Sequence, residues 1–185
     1  MKDKEQIIET TKLWLERFVI GLNLCPFAKH PFKNGKIRYI IFEDNDLEKL
    51  TELLLKEANE LIETTPSVLE TTLIILPEIL DEFEEYLDYV EMAEFIFAEV
   101  DLEGVIQLAS FHPDYQFEDT EPTDVENYTN RSPFPMLHLI REDSITRAIE
   151  AYPEVGNIPE TNIETMNNLG LTRVKQMLDD INRTN

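Results

Sequence analysis

Three apolar runs with strand character, 36–42, 71–76 and 105–111, each follow a segment whose apolar residues repeat at helical spacing. No other feature restricts the fold as much, because strands joined through helices run most readily parallel, with right-handed crossovers. Ile7, Thr11, Trp14, Phe18 and Leu22 predict one buried stripe on a helix over 4–22. Residues 23–35 contain Pro26, Pro31 and Asn34-Gly35 and read as an irregular loop closed by a turn. Asn45 and Glu48 have the capping-box offset, and Leu47, Leu50, Leu54, Ala58 and Leu61 carry a second helix to the break at Pro66. Pro77 suits the first turn of a third helix that turns Leu80, Phe83, Leu87 and Val90 inward and reaches about residue 99; Gly104 then separates it from the third strand.

The second half is less regular. Residues 112–135 hold four prolines and no periodicity. Structureless stretches longer than about 12–15 residues are uncommon in compact domains and are often functional. A short strand at 136–140 follows, then a fourth helix capped by Asp143 or Ser144, with Ile145, Ala148 and Ile149 inward, ended by Pro153. Thr161 and Glu164 form another capping-box pair, and Gly170 divides a C-terminal helical region whose last part buries Val174, Met177, Leu178 and Ile181. The expected fold is α/β, with α+β left open. It is a single domain over 1–185, a four-stranded mixed sheet, mostly parallel with one antiparallel strand, flanked by five or six helices.

Charge and cysteine usage narrow the function classes. The formal net charge is −22, and residues 43–103 alone hold twenty acidic and two basic side chains. That surface repels phosphate backbones, so nucleic acid is not an expected partner; the plainer reading of 43–103 is a solvated helical face, with docking of a basic protein as the alternative. The N-terminus lacks a secretory apolar core and the longest nearly apolar stretch, 18–28, is too short to span a bilayer, so neither export nor a membrane partner is expected. With Cys25 as the only cysteine no intramolecular disulfide exists, which fits a cytoplasmic address. The sequons at Asn127, Asn130 and Asn182 carry no weight without an export signal.

Three segments concentrate residues capable of chemistry: Gly21-Leu-Asn-Leu-Cys-Pro-Phe-Ala28, Ala109-Ser-Phe-His-Pro-Asp-Tyr-Gln-Phe117, and the run from Asn127 through Arg131-Ser132 to Glu142. On these segments the chain resembles, over nearly its whole length, the bacterial and plastid family known as domain of unknown function fourteen-fifteen. The resemblance implies no activity, cofactor or catalytic residue. Read from the residues, strand four antiparallel to strand three brings His112, Asp114 and Tyr115 to the same rim as Asn130, Arg131 and Ser132, with 112–135 folded over them as a lid or wall.

Two functions remain open. In one, the chain is a small cytoplasmic enzyme acting on an anionic metabolite: His112 carries protons, Asp114 orients it, Arg131 anchors the substrate among Asn130, Ser132 and Tyr115, and Cys25 is the nucleophile. In the other, the same rim binds a ligand without catalysis, or the acidic helices dock a basic protein. Cys25 follows a helix C-terminus, which does not activate a thiol, and is more readily read as a small buried hydrophobe. Arg141, just before helix four, marks a second anion-binding candidate, with an ion pair as its plainer role. His138 is expected in the core. His30, His112, His138 and Cys25 are too scattered for a metal site, the Cys25-Pro26 dipeptide is too common to imply haem, and no glycine-rich phosphate loop is present, so no cofactor is named.

Overall fold

The computed structural model describes residues 3–151 and 155–183. Four strands, β1 (Ile37–Ile41), β2 (Thr71–Ile75), β3 (Ile106–Phe111) and β4 (Met136–Arg141), form one sheet in the order β1-β2-β4-β3. β1 and β2 pair in parallel, and β4 inserts antiparallel between β2 and β3. Three strands therefore share one direction and the fourth opposes them, an α/β arrangement with the expected mixed sheet. The C-terminal ends of β1, β2 and β3 and the start of β4 lie on a single rim, with Phe111 directly opposite Met136.

The β-branched residues of β1 and β2 suit strands covered on both sides. On one face, α3 (Leu47–Glu63) and α4 (Phe83–Glu99) bury Leu50, Leu54, Leu61, Tyr86 and Phe97 against Ile74, Leu137 and Leu139. On the other, α1 (Lys4–Trp14) with the turns that continue it, α6 (Ile158–Leu169) and α7 (Leu171–Arg183) bury Trp14, Phe18, Met166 and Val174 against Leu73, Ile75 and Met136. The first helix keeps its predicted stripe but widens into a π-helical segment at Leu15–Ile20. Gly21 ends that segment where a Cβ would lie 2.2 Å from the Arg17 carbonyl oxygen, closer than any side chain tolerates.

Several expectations are corrected. Residues 23–35 are not all loop, since α2 (Lys29–Lys33) forms within them and raises the α-helices among the described residues to seven. Asp46, not Asn45, caps α3, accepting from the Glu48 and Lys49 amides. Pro77 does not open the third helix: α4 starts six residues later, after a loop in which Leu80 has φ of +58°. The later start rotates the buried stripe, so that Tyr86 and Tyr89 turn inward and Leu87 outward. The fourth helix, α5 (Glu142–Ala151), continues straight from β4 without the Asp143 or Ser144 cap. Pro153, expected to end it, lies outside the described residues. Pro159 occupies the first turn of α6, which places Thr161 inside that helix and not at its cap. Gly170 does divide α6 from α7, with φ of +75°.

Candidate functional site

The segment 112–135 is anchored onto the rim by its own polar side chains. Asn127 is fully buried at the centre: its Oδ1 accepts from the Phe117 amide and the Thr120 hydroxyl, both at 2.9 Å, and its Nδ2 donates to the Glu121 carbonyl at 2.8 Å. A 3-10 turn over Val125–Thr129 carries it. Arg131 donates through Nε to the Tyr115 carbonyl and through Nη2 to the Pro122 carbonyl, both at 3.0 Å, and lies 4.2 Å over the Tyr128 ring. Trp14 on α1 donates from its indole to the Arg131 carbonyl at 3.0 Å, tying the first helix to the same point.

The two predicted halves of the rim do meet. The His112 amide donates to the Asn130 carbonyl at 3.3 Å and the Ser132 amide to the His112 carbonyl at 3.4 Å. Their side chains, however, are turned to the backbone. His112 is completely buried, with Nε2 donating to the Leu80 carbonyl at 3.1 Å and Nδ1 accepting the Asp114 amide at 3.0 Å. Each ring nitrogen is thus engaged and the neutral Nε2–H tautomer is fixed. Burial pulls the His112 pKa below that of an ordinary histidine, against the Leu80 carbonyl and the Asp114 carboxylate, which push it up. It is Asp114's amide, not its carboxylate, that orients the ring. Asn130 Nδ2 donates to the Ser110 carbonyl and Ser132 Oγ to the Phe134 carbonyl. Tyr115 packs between Phe83 and Phe117, with ring centroids 5.3 and 5.0 Å away.

Cys25 and Arg141 do not join this cluster. Cys25 is half-buried against the hydrophobic cluster on the sheet face that carries α1, away from the Phe83 and Tyr86 side where His112 packs; burial raises its thiol pKa and the Phe27 and Ala28 amides only partly offset that. Arg141 lies at the far end of β4, where Nη2 donates to the Thr64 and Leu69 carbonyls and secures the end of α3. His138 lies in the sheet, its Nε2 2.6 Å from the Thr71 hydroxyl, which itself donates to the Leu139 carbonyl.

Outside the buried cluster, an open groove of about 580 Å³ runs between the start of α4 and the 112–131 segment. Glu82, Glu84, Glu85 and Asp114 line it, with Phe83, Gln116, Pro122 and Arg131. Carboxylates therefore outnumber guanidinium four to one. A smaller hollow of about 270 Å³ lies on the other side of Arg131, where Tyr128 and Ser132 meet Lys175 and Asp179 of α7. The sequence does not mark Phe83, Glu82, Glu84 and Glu85 as wall residues, because Phe83 reads as an inward position of the third helix and the three glutamates as part of the acidic 43–103 face. Sequence reasoning missed Trp14, Asn127 and Tyr86 as well. Of these, Tyr86 had a legible signal, its spacing of three from Phe83 and four from Val90.

Among the described residues no group of three or more His, Cys, Asp or Glu side chains is placed to hold a metal ion, and no helix is long and apolar enough to cross a membrane. No curated protein and no solved structure matches the chain. A family model described as protein of unknown function (DUF1415) matches residues 6–176, and on that span the chain belongs to the DUF1415 family.

Proposed function

We propose that this chain is a ligand-binding protein whose rim groove receives a small organic cation, and that it does not use His112, Asp114 and Cys25 as an acid–base or nucleophilic set on an anionic metabolite. The observation that carries this reading is the lining of the groove: Glu82, Glu84, Glu85 and Asp114 surround one arginine that is already held by two carbonyls and a tyrosine ring. A helix N-terminus would ordinarily favour an anion, but the first turn of α4 carries its own acids there. The groove accordingly attracts positive charge, and Phe83 adds aromatic surface for an alkylammonium or guanidinium group. The catalytic alternative needs a histidine with a free nitrogen and an activated thiolate. His112 has both nitrogens engaged, and burial raises the pKa of the half-buried Cys25 thiol, which works against a thiolate.

The test is thermal unfolding with a diamine and a guanidinium compound on one side, and phosphate and dicarboxylate compounds on the other. A ligand that binds only the folded state at roughly a hundred times its Kd raises stability by about 2.7 kcal/mol. The cations are expected to raise the midpoint, and the double variant Glu82→Gln, Glu85→Gln to abolish the rise. Stabilisation by the anions alone, together with rapid alkylation of Cys25 in the folded protein, would overturn the reading in favour of the catalytic one.

A further inference from the structure

Away from the groove, α4 presents an outer face whose charge and apolar content are both unpartnered. The helix carries Glu84, Glu85, Asp88, Glu91, Glu94 and Glu99 and no basic residue. Among the described residues none of these carboxylates lies within 4 Å of a lysine, arginine or histidine, although other carboxylates of the chain, Glu43, Asp44, Glu57 and Glu70 among them, do have such partners. Glu84 and Asp88 are four apart, Asp88 and Glu91 three apart, Glu91 and Glu94 three apart, so like charges sit as direct neighbours on the helix surface. Glu99 adds a negative charge at the negative end of the helix, where no basic residue offsets it.

In the middle of these charges stands Phe95, 66% exposed, beside Met92 at 40%. Phe95 is three residues from Met92 and four from both Glu91 and Glu99, so the aromatic ring, the thioether and the acids form one stripe. Leu87 at the upper margin extends it and is 40% exposed. Phe95 and Met92 lie next to each other and so form a small exposed apolar patch among the acids. An apolar anchor ringed by acids is complementary to a segment that brings apolar side chains flanked by lysines or arginines.

We infer that the outer stripe of α4, centred on Phe95, docks a basic amphipathic helix of a partner protein. A second copy of this chain is a poor occupant, because its own stripe brings the same unpaired carboxylates, and phosphate-bearing surfaces are repelled for the same reason. Glu84 and Glu85 at the start of α4 line the rim groove, but the centre of the stripe, Glu91, Met92, Phe95 and Glu99, lies in the second half of the helix and stands whether or not a small cation binds there.

The probe is a fluorescent peptide of about five helical turns built from leucine and lysine in amphipathic register, with a control of the same composition in which the leucines are dispersed. Anisotropy is measured at low and high salt against the full-length protein. The amphipathic peptide is expected to bind more tightly than the control, and Phe95→Ala to weaken it by about tenfold or more, as for a central apolar anchor. Glu91→Lys is expected to weaken it and to flatten its salt dependence. Phe95 is exposed, so an unchanged melting temperature in Phe95→Ala separates lost docking from lost folding. Equal binding of the control peptide with no effect of Phe95→Ala would overturn the proposal, leaving a non-specific polyanion. So would a Phe95-dependent dimer seen by sedimentation.

Discussion

Replacing His112 with leucine separates a supporting from a catalytic role for this side chain. The imidazole fills a space bounded by Phe83 and Tyr86, whose ring centroids lie 5.2 and 5.1 Å away, and leucine replaces most of its volume. What leucine cannot replace is the pair of hydrogen bonds: the Leu80 carbonyl loses its donor and the Asp114 amide its acceptor. An orphaned buried polar group costs about 1–3 kcal/mol, so the two together predict about 2–6 kcal/mol of destabilisation. For a chain of this length each kcal/mol moves the melting midpoint by about 2–4 °C, which gives a drop of roughly 4–24 °C. The backbone at Leu80 adds to the expectation, because its positive φ must be held by its surroundings and the imidazole is part of what holds it. The assay is thermal and urea unfolding of wild type, His112→Leu and His112→Asn. Asparagine supplies a donor and an acceptor on a shorter side chain and should recover part of the loss. Unchanged stability in His112→Leu would refute the argument and return His112 to the candidates for chemistry.

Two further outcomes follow from buried polar groups. Burial holds His138 down to about 4 from an ordinary value of 6.5, so the unfolded chain takes up a proton at a pH where the folded chain does not. Its contribution is therefore complete above 6.5 and is lost as pH falls from 6.5 towards 4, at up to about 1.4 kcal/mol per pH unit. Urea midpoints of wild type between pH 7 and 5, compared with His138→Gln, should show a steeper fall in the wild type; His112, depressed in the same direction, contributes to both curves and cancels in the comparison. Asn127→Ala leaves the Phe117 amide and the Glu121 carbonyl without these partners, so limited proteolysis should cut within 112–135 much faster than in wild type, whereas the rest of the chain keeps its helical circular dichroism.

What the sequence showed and what it hid divide along a physical line. Ile37–Ile41 and Thr71–Ile75 were legible as strands because β-branched runs flanked by turn residues have few other uses, and the rim formed by Phe111 and Met136 followed from one antiparallel pairing. Local signals failed where a tertiary partner decided the outcome. Pro77 is compatible with a helix start, yet 77–82 instead forms the loop whose Leu80 carbonyl receives His112. With the helix starting at Phe83, Tyr86 replaces Leu87 inside, where its hydroxyl donates to the Met136 carbonyl and accepts the Phe111 amide, bridging β3 and β4 at the rim. Asn127 gave no signal beyond a sequon, since an asparagine that collects three hydrogen bonds from its own loop has the same sequence neighbourhood as one exposed to water.

The polar residues that looked like chemistry and the charges that looked like solubility therefore exchange roles. Histidine, arginine, asparagine and serine at the rim spend their donors and acceptors on main-chain groups, which a long segment with little regular structure must have satisfied if it is to stay folded. That leaves the acids as the charges facing solvent, and on α4 two groups of them stand on either side of Asp88. Glu84 and Glu85 lie in its first turn, where the helix dipole stabilises them and where they also line the groove. Glu91, Glu94 and Glu99 lie in its second half, without a cationic partner and, at Glu99, against the dipole. The first group is explained by the helix that carries it. The second is not, and it is the one that surrounds Phe95, so a binding partner accounts for both the exposed ring and the uncompensated charge.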